Sequence, residues 1–317
     1  MLTLKWELSQ YSLQRMTTFL PTLISLPRRR ILAAAALSVM ATPLARAAAD
    51  WQPATLHQAR QRDITSPITG QTYRIFVSIP TTPPPPAGYA VIYALDGNAT
   101  FPTLALMART ILPRSTALPV VVGIGYPGEF DYGMARGRDY TPPSGADGPA
   151  KEGGADLFLD FIERELKPLI ATLAQLDPAR QALYGHSYGG LCTLHALFTR
   201  PAIFQTYLAA SPSIWYGERV VLGGMEGFRR RVAALPSKPA LMLAVGELEQ
   251  PSTANGPLQG RDAIAAARRM VDNARELGER LQQTNTLARL QFHLLAQEDH
   301  GAATFPAMAR GLEFFLV

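Results

Sequence analysis

The feature that most restricts this chain is a five-residue turn, Gly185-His186-Ser187-Tyr188-Gly189, which fits G-x-S-x-G. It directly follows the short apolar run Ala182–Tyr184 and directly precedes the apolar stretch Leu191–Phe198. Read as strand, turn and helix, this is the setting in which the pattern lifts a serine hydroxyl clear of a sheet on a sharp, strained turn. The flanking glycines leave out the Cβ atoms that would meet the neighbouring strand or helix. The turn also aims the N–H of Tyr188 and the positive end of the following helix at an atom held by Ser187. The plainer reading is a glycine-rich turn whose serine only caps the helix.

A serine raised this way needs a sheet around it, and the chain offers one. Tyr73–Ile79 reads as a strand, closed by the proline-rich stretch 83–86. Ala90–Leu95, Val120–Ile124, Tyr207–Ala210, Leu241–Val245 and Leu290–Leu295 are short, nearly continuous apolar runs. Such runs suit strands buried on both faces of a parallel sheet. Between them, residues 155–174, 260–284 and 303–316 carry helical spacing. Strand–helix alternation without repeats predicts one α/β domain over residues 50–317, with a mostly parallel sheet flanked by helices. Residues 127–154 are rich in Gly, Pro and Asp, show no clear period, and read as a long functional loop.

A serine nucleophile needs a base. Of the five histidines, His57 precedes the sheet, His195 falls on the nucleophile helix as a structural residue, and His293 lies within the last strand. His186 adjoins Ser187 and is read as pointing away from the reaction. His300 follows the last strand in the loop Glu298-Asp299-His300-Gly301, where an imidazole can return to the serine. Chain order then asks for an acid after Leu241–Val245. Glu249 is favoured, three residues past Gly246, with Glu247 as the fallback and a Ser187–His300 dyad as the remaining alternative. The oxyanion hole takes the Tyr188 N–H and the N–H of Asn98, turned inward by Gly97 after the strand ending at Leu95. Asp96 reads as a residue that holds this loop.

Charge at first suggests a polyanion ligand, since the 317 residues carry 30 Lys+Arg against 25 Asp+Glu. By position the excess dissolves. Residues 1–49 hold six basic groups and one acidic group, while residues 50–317 hold 24 of each. The first segment has Arg28-Arg29-Arg30, an apolar run of about 14 residues, and small-x-small sites near Ala47–Ala49. That run is too short for a span of about 20 residues. It reads as a twin-arginine-type signal peptide over 1–49, giving an exported, periplasmic mature protein with no membrane span and no nucleic-acid partner. Cys192 is the only cysteine and packs as a small hydrophobe. No metal-ligand spacing appears and no cofactor is expected. Gly123–Gly128 matches G-x-G-x-x-G but opens no helix, so dinucleotide binding is set aside.

An ordered set of motifs carries a more specific likeness: Leu95-Asp96-Gly97-Asn98, Arg138-Asp139-Tyr140-Thr141-Pro142, Gly185–Gly190, Ser211-Pro212-Ser213-Ile214-Trp215, Val245–Glu249 and Glu298-Asp299-His300. Over about residues 55–315 the chain resembles the esterase branch of the α/β-hydrolases that contains esterase D and the mycolyltransferases. Within it, the chain is most similar to periplasmic esterases of catecholate siderophores of the enterobactin and salmochelin type. The resemblance implies an α/β-hydrolase fold. It also implies attack by Ser187 on an ester carbonyl of the trilactone, with an acyl-enzyme resolved by water. The segment Arg136–Thr141 would face the substrate. A ferric tris-catecholate is a bulky trianion, and arginine planes stack on catechol rings and pair with their oxygens. Arg136, Arg138 and Trp215 are therefore the expected substrate-binding residues. Against this, Arg138 could simply pair with Asp139, and Trp215 could be core. The alternatives are a general carboxylesterase or acyltransferase of the esterase D type, or a non-catalytic ferric-siderophore-binding protein.

Overall fold

Eight strands make one sheet in the computed structural model, which describes residues 54–111, 117–128, 133–144, 151–252 and 257–316. The segment read as a signal peptide lies outside the described residues. The strands are β1 (Ala59–Thr65), β2 (Thr72–Ser78), β3 (Tyr89–Leu95), β4 (Val120–Gly125), β5 (Leu176–His186), β6 (Thr206–Ala210), β7 (Ala240–Gly246) and β8 (Arg289–Leu295). Their order across the sheet is β1-β2-β4-β3-β5-β6-β7-β8. β1–β2 and β2–β4 pair antiparallel, and every pair from β4–β3 to β7–β8 is parallel. The sheet is thus mostly parallel, and the chain has an α/β fold of the hydrolase type.

The apolar runs explain which strands lie inside. Every residue of β3, β4 and β6 is buried, as their nearly continuous apolar runs require when helices cover both faces. One face packs α1 (Gly97–Thr110) and α8 (Thr304–Leu316) through Phe101, Leu104, Met308 and Leu312. The other face packs α3 (Ala155–Phe161), α4 (Tyr188–Thr199) and α7 (Met270–Gln282) through Phe158, Leu191, Leu197 and Leu277. α3 continues through the π-helical stretch Ile162–Leu166 and Lys167–Ala171. Between them in sequence lie α2 (Gly133–Tyr140), α5 (Met225–Ala233) and α6 (Gly260–Arg268). Among the described residues no helix is long and apolar enough to cross a membrane.

Strand order places the site. After β3 the chain moves outward to β4, then returns to the other side of β3 for β5. The strand order reverses there, and a crevice opens at the carboxyl ends of the flanking strands. Asp96 follows the last residue of β3 and Ser187 follows the last residue of β5, one on each side of it.

Two readings of the sequence are corrected. Residues 127–154 are not wholly irregular, because Gly133–Tyr140 is a helix. Tertiary contacts support it: Tyr140 and Thr141 are fully buried, and Thr141 Oγ1 donates to the Gly137 carbonyl at 2.7 Å. Residues 260–284 are two helices instead of one. Arg269 breaks them with a left-handed φ of 48°.

Candidate active site

The turn at Ser187 is built by close packing. Ser187 has φ 61° and ψ −117°, a strained conformation that costs of order 1–3 kcal/mol. Its backbone is tied on both sides, with Ser187 N–H donating to Ala210 O (3.0 Å) and Ser213 N–H donating to Ser187 O (3.2 Å). A Cβ on Gly185 would lie 2.1 Å from the Gly189 carbonyl oxygen, so strand and helix approach closer than any side chain permits. The second crowded glycine is Gly190, whose Cβ would stand 2.7 Å from Ala210 O. At Gly189 the nearest atoms would be 3.4 Å away. Behind the turn, α4 is apolar and buried on all sides, which fixes the serine at its head.

Ser187, His300 and Glu249 come together across more than a hundred residues. Ser187 Oγ lies 3.0 Å from His300 Nε2, and His300 Nδ1 lies 2.6 Å from Glu249 Oε2. The carboxylate can only accept, so Nδ1 carries the hydrogen and Nε2 is free to accept the serine proton. The Glu249 side chain is 1% exposed. Its Oε1 accepts from Ser211 Oγ and from the Gly246 N–H at 2.7 Å. Burial pushes its carboxyl up, but the donors His300, Ser211 and Gly246 outweigh burial and hold it below the usual range. Glu247 is elsewhere: it is exposed and accepts from the Gln297 N–H at 2.9 Å.

The two expected oxyanion donors stand in the first turns of α4 and α1, where helical bonding leaves N–H groups without an acceptor one turn back. The Asn98 side chain fixes its own backbone. Its Nδ2 donates to Tyr126 O (3.0 Å) and its Oδ1 accepts from the Tyr126 N–H (2.8 Å). Asp96 begins this helix with a left-handed φ of 54°. Its N–H donates to Tyr140 Oη at 3.0 Å, and its carboxylate holds Arg136 in two bonds of 2.7 and 3.0 Å.

A recess of about 710 Å³ opens beside the serine. Ser187, Tyr188, His300, Arg136, Ser213 and Trp215 line it. Arg136 is there, but its charge is already paired with Asp96, and its guanidinium lies 5.7 Å from the Tyr188 ring centre. Arg138 is not at this recess. Its guanidinium closes on Asp139 at 2.6 and 2.7 Å and on Gln71 at 2.8 Å. Two residues that the sequence reading missed take its place, Arg261 and Arg268, both on the exposed helix α6. The Arg268 guanidinium stands 4.5 Å from the Trp215 ring centre. Their spacing of seven on one helix was the available signal, but nothing local shows which way that face turns.

His186 was also missed. Its Nε2 lies 2.8 Å from the His300 carbonyl oxygen, and the two rings are 4.7 Å apart. His195 pairs with Asp156 at 3.0 Å on the far side of α4, and Cys192 is fully buried.

The proteins that the chain is similar to are esterases. A family profile described as "Putative esterase" matches residues 66–291. The chain is 38% identical over 277 residues to the ferri-bacillibactin esterase BesA of Bacillus subtilis, covering 83% of this chain and 91% of that protein. It is 40% identical over 236 residues to the siderophore triacetylfusarinine C esterase of Aspergillus fumigatus, covering 71% and 80% respectively. Among solved structures, the BES protein from Bacillus cereus superposes with a TM-score of 0.75 at 34% identity, covering 84% of this chain and 98% of that one.

Proposed function

The chain belongs to this esterase family, and on that premise we propose that it hydrolyses the ester bonds of catecholate siderophores through an acyl-enzyme on Ser187. The observation that carries the proposal is the relay Glu249–His300–Ser187, with contacts of 2.6 and 3.0 Å at the rim of a recess walled by arginine and tryptophan.

The chemistry follows from the hydrogen positions. Ser187 Oγ gives its proton to His300 Nε2 as the oxygen attacks the ester carbonyl. The imidazolium that forms is stabilised by Glu249, which stays ionised and holds the ring by Nδ1. Charge develops on the carbonyl oxygen, and the N–H groups of Tyr188 and Asn98 are the donors proposed to receive it, each worth about 2.7–4 kcal/mol. His300 returns the proton to the departing alkoxide. Water then repeats the sequence on the acyl-enzyme. The His300 side chain is 47% exposed, so water reaches the base, which favours hydrolysis over acyl transfer.

The recess supports an anionic, aromatic substrate. Arg268 stands over Trp215, Arg261 lines the same recess, and neither makes a salt bridge among the described residues. Guanidinium planes can stack on catechol rings and bond their oxygens. The protein is proposed to act after export to the periplasm, a reading supported by Arg28–Arg30, the short apolar run and the small residues before Asp50.

Two measurements test the proposal. A fluorophosphonate probe should label the wild-type chain and not Ser187→Ala; absence of wild-type labelling rules out the serine mechanism. Ferric enterobactin should be hydrolysed with a higher kcat/KM than p-nitrophenyl acetate. Equal or poorer turnover makes the protein a generalist esterase.

A further inference from the structure

We propose that His186 is a positioning residue that fixes the main chain of His300 relative to the nucleophile. The inference rests on the serine-esterase reading and assigns a role that the relay alone does not contain.

The His300 carbonyl can only accept, so His186 Nε2 must carry the hydrogen of their 2.8 Å bond. His186 is joined to Ser187 by one peptide bond. The clamp therefore sets the backbone of the base against the backbone of the nucleophile through a single residue and a single hydrogen bond. The other ties of this loop act on its neighbours. Leu248 N–H donates to Glu298 O at 3.0 Å, and Gln297 N–H donates to Glu247. Asp299 Oδ1 accepts from the Gly301 and Ala302 N–H groups at 3.0 and 2.8 Å. Among the described residues, the His300 carbonyl is held by His186.

The clamp also has the right electrical character. Burial first, and the neighbouring His300 second, push the His186 imidazole down to about 4. It therefore stays neutral while the His300 ring, 4.7 Å away, takes up and releases a proton. A second cation at that distance would oppose the imidazolium that the reaction forms. His186 is not among the residues that line the recess.

The test compares wild type, His186→Leu and His186→Gln on p-nitrophenyl acetate, together with the rate of Ser187 phosphonylation and the thermal midpoint. Misplacing a base by about 1 Å can slow the chemical step by up to roughly a hundredfold, and a smaller shift by less. His186→Leu should lower kcat and the phosphonylation rate within that range with KM nearly unchanged. His186→Gln, which carries an N–H at similar reach, should recover most of the loss. The proposal is overturned if folded His186→Leu keeps kcat within about twofold, if the loss lies in KM, or if Gln rescues no better than Leu. A wild-type chain that the probe fails to label overturns the serine-esterase reading itself, which separates the two failures.

Discussion

Glu249 reaches Nδ1 of His300 with Oε2 at 2.6 Å while its other oxygen is occupied by Ser211 and the Gly246 N–H. The carboxylate is thus held at both ends and cannot rotate off the ring. Glu249→Gln should reverse the donor pattern at Nδ1 and leave Nε2 protonated, unable to accept from Ser187. A fall in kcat of about 10³–10⁴ is expected. Glu247→Gln keeps an acceptor for the Gln297 N–H and should cost less than about threefold. Steady-state kinetics on p-nitrophenyl acetate checks both, and the reverse ranking would reassign the acid.

The same bonds set a pH response. The folded Glu249 carboxyl is held below its ordinary range, so its contribution to stability is complete above the unfolded value and is lost progressively as pH falls from there through the folded one. It therefore stays ionised further into the acid range than an ordinary glutamate. The acid limb of log kcat/KM should fall with a slope of one, from protonation of the single base. A slope of two over that limb would mean that Glu249 gains a proton together with His300.

Arg138 and Arg268 should behave in opposite ways. Arg138 bonds Asp139 and Gln71, and Asp139 also accepts from Tyr126 Oη at 3.1 Å, so Arg138 holds buried polar structure. Arg138→Ala should lower the thermal midpoint and affect charged and neutral esters alike. Arg268→Ala should leave the midpoint unchanged, since the residue is exposed. It should raise KM for a ferric catecholate severalfold, the loss of about 1 kcal/mol of cation contact, and spare p-nitrophenyl acetate. Equal effects of Arg268→Ala on both substrates would remove it from recognition.

The glycines around Ser187 should not be equivalent. Gly185→Ala and Gly190→Ala each force a methyl into a backbone carbonyl, at 2.1 and 2.7 Å, and should prevent soluble expression or cost several kcal/mol. Gly189→Ala meets nothing closer than 3.4 Å and should fold. Denaturant unfolding of the three variants measures this, and an unstable Gly189→Ala beside a stable Gly190→Ala would contradict the packing described.

What could be read in advance follows from where each signal resides. β3, β4, β6 and β7 announce themselves because both faces are covered and nearly every position is apolar. Ser187 does so because the turn tolerates so few residues. β1 was missed because its outward residues, Arg60, Gln61, Arg62 and Asp63, are exposed on an edge strand. α1 carries Pro102 and α2 carries two glycines, so local propensity argues against both, and tertiary contacts decide. The break at Arg269 has neither proline nor glycine to mark it. Arg261, Arg268 and His186 were invisible for another reason. Each acquires its surroundings from chain far away in sequence, as His186 does from His300.

The helix that brings Arg261 and Arg268 to the recess has no buried residue. Its sequence is therefore almost free of obligation to the core, whereas α4, which carries the serine, is bound to it on every side. Selection can act on the two separately. Substitutions along α6 should therefore leave the packing beneath the serine in place. The bond-breaking machinery, locked into packed glycines and strained backbone, has little such freedom.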